Sequence, residues 1–115
     1  LILDIGWGGG LTEARRCAAV ANTYLTPVAA HDCNGPVVLT ASVHFCQATV
    51  NSYVQEIVRA FYYGWYADIV TTLPPLENGF ITPPAGPGLG LELQPDFRNR
   101  KSTLSRTSRL GDTTD

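Results

Sequence analysis

The chain has 115 residues, enough for one small domain, of which 44% are hydrophobic and 16% are charged. Its formal net charge of −2 gives no electrostatic reason to bind nucleic acid or an anionic membrane, so we expect neither partner. Its three cysteines form no CxxC motif, which argues against a disulfide framework and a structural zinc site and favours reduced thiols in a cytoplasmic protein.

The first predicted element is a short apolar strand, Leu1–Ile5, with Asp4 near its end. Because this segment resembles the middle of a buried strand and the chain contains no methionine, we expect the sequence to be a fragment of a longer protein. A glycine-rich loop follows, and Thr12 is the predicted N-cap of an amphipathic helix that ends near Leu25. The small apolar face of this helix is suited to close packing on a sheet.

The second predicted strand covers residues 28–30, an unbroken apolar run that is typical of a strand buried on both faces. His31 follows at its carboxyl end, and the turn that comes next places Pro36 just before a predicted helix over residues 37–48. Apolar residues occupy nearly the whole circumference of that helix. It therefore needs neighbours on both sides, and we expect the chain to provide few of them.

The third predicted strand covers residues 53–58, with Glu56 near its carboxyl end. The intervals between Asp4, His31 and Glu56 are close to the roughly thirty residues of one unit in a (β/α)8 barrel, where functional groups lie at the carboxyl ends of strands. The sequence thus predicts an α/β fold with about three βα units of a TIM-like barrel. Two carboxylates and one imidazole would share one edge of its sheet.

The rest of the chain is less regular. Residues 59–73 are rich in aromatic side chains and form a predicted short helix or packed loop, for which core or interface packing is favoured over base stacking. Asn78-Gly79 indicates a hairpin, residues 83–90 are irregular, and the basic stretch from Arg98 is a predicted solvated or poorly ordered tail. We therefore divide the chain into βα units at 1–73 and an irregular extension with a basic tail at 74–115.

Several ordered motifs resemble one family. Asp-Ile-Gly-Trp-Gly-Gly-Gly-Leu-Thr-Glu-Ala at 4–14, His-Asp-Cys-Asn-Gly-Pro-Val at 31–37, Asn51, Gln55-Glu56 and Pro-Gly-Leu-Gly at 87–90 are similar to the carboxyl-terminal third of the mandelate racemase/muconate lactonizing family of the enolase superfamily. Its acid-sugar dehydratases of the galactonate dehydratase type are the most similar. The resemblance, from Leu1 to about Phe97, implies barrel strands six to eight and an extension that packs on a capping domain upstream of Leu1.

The resemblance also implies a function. Such enzymes are Mg²⁺-dependent lyases that remove the proton alpha to the carboxylate of a small-molecule sugar acid and eliminate water to give a 2-keto-3-deoxy acid. His31 corresponds to the base of a histidine–aspartate dyad, Asp4 to its orienting carboxylate, and Glu56 to a glutamate near the substrate carboxylate. These three are the candidate catalytic residues, and Glu56 and His31 are also candidate substrate-binding residues. We expect the complete enzyme to be a homo-oligomer.

The family's metal ligands are carboxylates on strands upstream of Leu1. We therefore expect no metal ligand in this chain, no Mg²⁺ bound by it alone, and no activity without the rest of the enzyme. Two other functions stay open, a racemase or cycloisomerase of the same superfamily and a non-catalytic truncated remnant.

Each candidate residue also has a structural interpretation. His31 fits a structural histidine, and Asp4 and Glu56 fit capping or ion-pairing carboxylates. Asp32 fits a helix cap or loop anchor rather than a metal ligand, and His44 fits core packing. The glycines at 8–10 match no phosphate-binding motif and indicate a tight turn.

Overall fold

The core of the fold is a parallel three-stranded sheet whose strands are connected by two helices. The computed structural model describes residues 1–104, 106 and 107. Strands and helices alternate as β1 (Ile2–Leu3), α1 (Gly10–Thr23), β2 (Val28–Ala30), α2 (Pro36–Gln47) and β3 (Ser52–Gln55). The sheet order is β1-β2-β3 and both pairings are parallel, which confirms the expected α/β architecture. Its closure into a barrel stays a prediction.

The register of the sheet brings the strand ends side by side. Ile2 pairs with Ala29, and Ala30 pairs with both Leu3 and Gln55. Two hydrogen bonds continue this pairing beyond the strands, because the His31 amide donates to the Leu3 carbonyl at 2.9 Å and the Glu56 amide donates to the Ala30 carbonyl at 3.0 Å. The residues that follow β1, β2 and β3 therefore lie next to one another at one edge.

Helix α1 begins earlier than predicted, and Thr12 as its N-cap is wrong. The amides of Gly8 and Gly10 donate to the carbonyls of Asp4 and Ile5, at 2.8 and 3.1 Å, and so form a tight turn directly after β1. Gly9 and Gly10 have φ values of 92° and 83°, a conformation that glycine adopts without steric cost. This turn starts the helix at Gly10 and leaves Thr12 inside it.

Helix α2 has neighbours on both sides, contrary to the expectation that this chain provides few. On one side Phe45 belongs to a buried cluster with Ile5 and the small residues of α1, among them Ala14 and Ala18. On the other side Leu39 and Val43 pack with the fully buried Tyr66. The aromatic segment folds back on α2, which the helix's own pattern could not reveal.

That aromatic segment forms two short helices, α3 (Arg59–Tyr62) and α4 (Tyr66–Ile69). The ring of Tyr66 contacts Trp65 edge-on at a centroid distance of 4.7 Å, a favourable geometry for aromatic pairs. The expected packing role is confirmed for Tyr66 by its complete burial.

The extension starts with the predicted hairpin. Strands β4 (Leu76–Glu77) and β5 (Phe80–Ile81) are antiparallel, and Asn78 and Gly79 form the turn with φ values of 51° and 81°. The chain then returns to α4, where the Gln94 amide donates to the Ile69 carbonyl at 2.8 Å. His44 lies 3.1 Å from the Leu89 carbonyl through Nε2, which fits its expected packing role.

The basic stretch begins with a 3-10 helix, Phe97–Asn99. Arg100 forms two hydrogen bonds with the Asp96 carboxylate, each 2.9 Å long, so the start of this stretch has an ordered contact. The predicted tail over 105 and 108–115 lies outside the described residues. In the part of the chain that the structure describes, no helix is both long and apolar enough to cross a membrane.

Candidate active site

The three strand ends bring together the three candidate catalytic residues. His31 Nδ1 lies 3.0 Å from Asp4 Oδ2, and His31 Nε2 lies 3.8 Å from Glu56 Oε2. The side chains of Asp4, His31 and Glu56 are 22%, 33% and 48% exposed. A carboxylate thus flanks each ring nitrogen of one imidazole, at an edge of the sheet that a small molecule can reach.

Asp4 is held on both of its carboxylate oxygens. The Trp7 amide donates to Oδ1 at 2.9 Å, and the side-chain amide of Asn34 lies 2.8 Å from each oxygen. Partial burial opposes ionisation, but the hydrogen bonds from Trp7, Asn34 and His31 outweigh it and hold the pKa of the Asp4 carboxyl below its usual range. Asp4 is therefore an anion with a fixed orientation.

The Asp4 anion determines which nitrogen of His31 can act as a base. An ionised carboxylate only accepts hydrogen bonds, so Nδ1 of a neutral His31 carries its proton and Nε2 carries the lone pair. A carboxylate at Nδ1 also orients the ring and stabilises the imidazolium that forms when Nε2 takes a proton. The pair can therefore abstract a proton from a molecule bound on the Glu56 side.

Glu56 is held beside the imidazole by backbone contacts. Its Oε2 accepts a hydrogen bond from the Asp32 amide at 3.2 Å. The neighbouring Gln55 amide group donates to the carbonyls of Ala30 and Glu56, at 3.2 and 2.8 Å, and joins the end of β3 to the end of β2.

Two residues of the site, Asn34 and Trp7, had no role predicted from the sequence. Asn34 lies in the His31 motif, and it contacts Asp4 with Nδ2 while its Oδ1 accepts the Trp7 indole N–H at 2.7 Å. The signal that could have indicated Asn34 is an amide at a strand-end loop with a carboxylate on the neighbouring strand. Trp7 has no such signal, since its contribution to Asp4 comes from its backbone.

Asp32 is a loop anchor and not a helix cap. Its Oδ2 accepts the Val58 amide and its Oδ1 accepts the Tyr66 hydroxyl, both at 2.9 Å. The N-cap of α2 is Gly35, which makes no side-chain capping bond.

Cys33 places a thiol beside the base. Its Sγ lies 3.7 Å from Nδ1 and 3.8 Å from Nε2 of His31, and the residue is exposed. A reagent attached to this sulfur would therefore stand next to the imidazole.

The site does not fit a magnesium ion. Within residues 1–104, 106 and 107, no three His, Cys, Asp or Glu side chains are arranged so that they could hold a metal. Mg²⁺ prefers carboxylate oxygens, and both oxygens of Asp4 already accept hydrogen bonds.

Comparison with known proteins supports this assignment of the fold. The family model described as enolase C-terminal domain-like matches residues 1–97. D-xylonate dehydratase of Haloferax volcanii is 36% identical over 93 residues, which are 81% of this chain and 22% of the relative. D-galactonate dehydratase of Ralstonia pickettii is 31% identical over 112 residues, with 84% of this chain and 29% of the relative covered.

Solved structures of the same family superpose on this chain. An enolase of the mandelate racemase subgroup from Agrobacterium tumefaciens superposes with a TM-score of 0.80 at 54% identity, over 86% of this chain and 27% of its own. An enolase from Sargasso Sea environmental sequencing gives a TM-score of 0.81 at 40% identity, over 94% and 30%. The chain thus spans less than a third of the length of each relative. It belongs to the enolase C-terminal domain-like family.

Proposed function

We propose that this chain supplies the histidine–aspartate base of an acid-sugar dehydratase. The observation that carries the proposal is the 3.0 Å contact between His31 Nδ1 and Asp4 Oδ2, which leaves Nε2 directed to the edge where Glu56 lies. Two curated relatives are dehydratases of sugar acids, D-xylonate and D-galactonate. Because the chain spans 22% and 29% of them, the activity is proposed for the complete enzyme.

The proposed reaction is a β-elimination from a small-molecule sugar acid. His31 Nε2 takes the proton from the carbon alpha to the carboxylate, while Asp4 stabilises the imidazolium. The hydroxyl group on the next carbon leaves as water with a proton supplied by an acid of the complete enzyme, and the enol that results tautomerises to a 2-keto-3-deoxy acid. Glu56, which is half-exposed beside Nε2, contacts the substrate carboxylate and sets the position of the alpha carbon.

We also propose how this chain fits into the complete enzyme. Residues 1–73 form the last three βα units of a (β/α)8 barrel, and residues 74–115 pack on a capping domain. Because the site residues described above do not fit Mg²⁺, the ligands of the ion that the complete enzyme requires lie on other strands. We place the enzyme in the cytoplasm as a homo-oligomer.

Product analysis tests this function. The complete enzyme is incubated with D-xylonate, D-galactonate and their epimers in the presence of Mg²⁺, and the products are identified by NMR. We expect a 2-keto-3-deoxy acid from at least one substrate. Epimers or lactones without a keto acid would indicate a racemase or cycloisomerase, and no conversion with any acid of the panel would support the non-catalytic remnant.

A further inference from the structure

We propose that Asp32 is a positioning residue that sets the distance between Glu56 and His31. The inference deepens the proposed function, on which it rests, because both of these side chains meet the substrate in the proposed reaction. Asp32 follows His31 directly in the chain, and it is 1% exposed. Its carboxylate is therefore inside the protein and cannot contact a substrate itself.

Asp32 contacts the segment after β3 at two points. Its backbone amide donates to Glu56 Oε2 at 3.2 Å, and its Oδ2 accepts the amide of Val58 at 2.9 Å. The two bonds hold the strand end that carries Glu56 to the strand end that carries His31. The Tyr66 hydroxyl donates to the other oxygen, Oδ1, at 2.9 Å, and this bond leads to helix α4 rather than to the segment that carries Glu56.

The buried position of the Asp32 carboxylate supports a positioning role. A buried carboxylate loses its hydration, and hydrogen bonds offset that loss only when the geometry is good. An apolar residue at this position would avoid the cost but would offer no acceptor to the Val58 amide. What the carboxylate provides is a fixed connection between two loops that carry reacting groups.

The Glu56 geometry shows why the connection matters. Glu56 Oε2 is 3.2 Å from the Asp32 nitrogen and 3.8 Å from His31 Nε2, so it bonds to the former and stays beyond hydrogen-bonding distance of the latter. If the segment around Glu56 were released, its carboxylate could approach Nε2, pair with the imidazolium form of His31, and so keep a proton on the nitrogen that has to act as the base. Asp32 thus keeps Nε2 available.

Three substitutions in the complete enzyme separate positioning from stability. Asp32→Asn preserves the size of the side chain and the acceptor for Tyr66, but places an N–H donor or a misaligned oxygen at the Val58 amide. Val58→Pro removes that amide donor and leaves Asp32 intact, and the Val58 φ of −79° suits proline. Tyr66→Phe is the matched control, because it removes the other hydrogen bond of the same carboxylate without touching the Glu56 segment.

The readouts are kcat and KM for exchange of the alpha proton, the thermal midpoint, and the distance from His31 Nε2 to Glu56 Oε2 in crystal structures of the variants. We expect Asp32→Asn and Val58→Pro to change that distance and to lower kcat by roughly 100-fold, the effect of a misplaced reacting group. Tyr66→Phe lowers the thermal midpoint but preserves the distance and most of kcat.

The inference is overturned if Asp32→Asn and Val58→Pro preserve the distance, or if all three variants lose kcat only in proportion to their thermal midpoints. If Asp32→Asn does not fold, Val58→Pro decides alone. If the wild-type enzyme exchanges no alpha proton of any sugar acid, the proposed function fails, and the crystallographic distance in the variants, which needs no substrate, still decides the role of Asp32.

Discussion

The side-chain nitrogen of Asn34 lies 2.8 Å from both carboxylate oxygens of Asp4. Asp4 in turn contacts His31 Nδ1 at 3.0 Å. A carboxylate that is held on both oxygens cannot rotate away from the imidazole. Asn34 therefore orients the imidazole of His31 indirectly, through its contact with Asp4.

Substitution of Asn34 tests this contact through stability. In Asn34→Ala the partly buried Asp4 anion loses a donor, so we expect the free energy of unfolding to fall by about 1–3 kcal/mol. Asn22→Ala, an exposed position in α1, is the control and should change it by less than about 0.5 kcal/mol. Urea unfolding followed by circular dichroism measures both. Equal changes in the two variants would show that the Asn34 amide does not stabilise Asp4.

The lowered pKa of Asp4 predicts a pH dependence. The folded state holds this carboxyl below its usual pKa, so the unfolded state binds the proton more tightly. The stabilisation is therefore fully present above the ordinary carboxyl value of about 3.9 and is lost as the pH falls through the lowered folded value. Asp4→Asn should flatten the acid limb of the plot of unfolding free energy against pH.

A second carboxyl group also contributes to the dependence of the unfolding free energy on pH. The pKa of Asp96 is also lowered, because Arg100 donates hydrogen bonds to it. The comparison is therefore made in an Asp96→Asn background, which removes that contribution. Parallel acid limbs with and without Asp4 would contradict the prediction.

The turn after β1 predicts a steric effect at Gly8. A Cβ atom at Gly8 would lie 2.6 Å from the Asp4 carbonyl oxygen, a backbone atom that must then move. We expect Gly8→Ala to cost about 1–3 kcal/mol of stability and to displace the ring resonances of His31 in NMR spectra. Gly79→Ala serves as the control, since its Cβ would meet no atom within 4 Å and its cost of roughly 1 kcal/mol comes from its φ of 81°. Unchanged His31 resonances in Gly8→Ala would contradict the prediction.

The thiol beside the base predicts selective inactivation. Cys33 is exposed in this chain, and its Sγ lies 3.7 Å from His31 Nδ1, so alkylation of the complete enzyme by iodoacetamide should place an adduct beside the base. We expect activity to fall in step with modification of Cys33 measured by mass spectrometry. Cys33→Ser should resist inactivation, whereas Cys17→Ser, a second exposed cysteine, should stay sensitive. Inactivation of Cys33→Ser at the wild-type rate would exclude Cys33 as the target.

The order of strands and helices was predictable because it follows from local signals. The apolar run at Val28–Ala30 lies between Pro27 and the turn at Gly35-Pro36, and these residues limit the strand from both sides. The start of α1 was not predictable from propensity. It depends on amide-to-carbonyl bonds between the glycine loop and the end of β1, which are a property of the folded turn.

The part of the site that was predictable is the part that the register of the parallel strands determines. Parallel strands with a polar residue after each end place Asp4, His31 and Glu56 at one edge, and these three do meet. Asn34 and Asp32 acquire their roles from partners 30 and 34 positions away, Asp4 and Tyr66. The repeat of strands and helices brings the strand ends together, but it does not specify which loop side chains bond to each other, and the folded structure was needed to show these contacts.

The role of His31 as the base is tested most directly by exchange of the alpha proton of a sugar acid in deuterated water, followed by NMR. The complete enzyme is compared with His31→Asn and with His44→Gln, a control at a histidine that contacts the Leu89 carbonyl away from the site. We predict exchange in the wild type and in His44→Gln, and a fall of at least roughly 100-fold in a folded His31→Asn. Exchange by His31→Asn at the wild-type rate would contradict the assignment of the base.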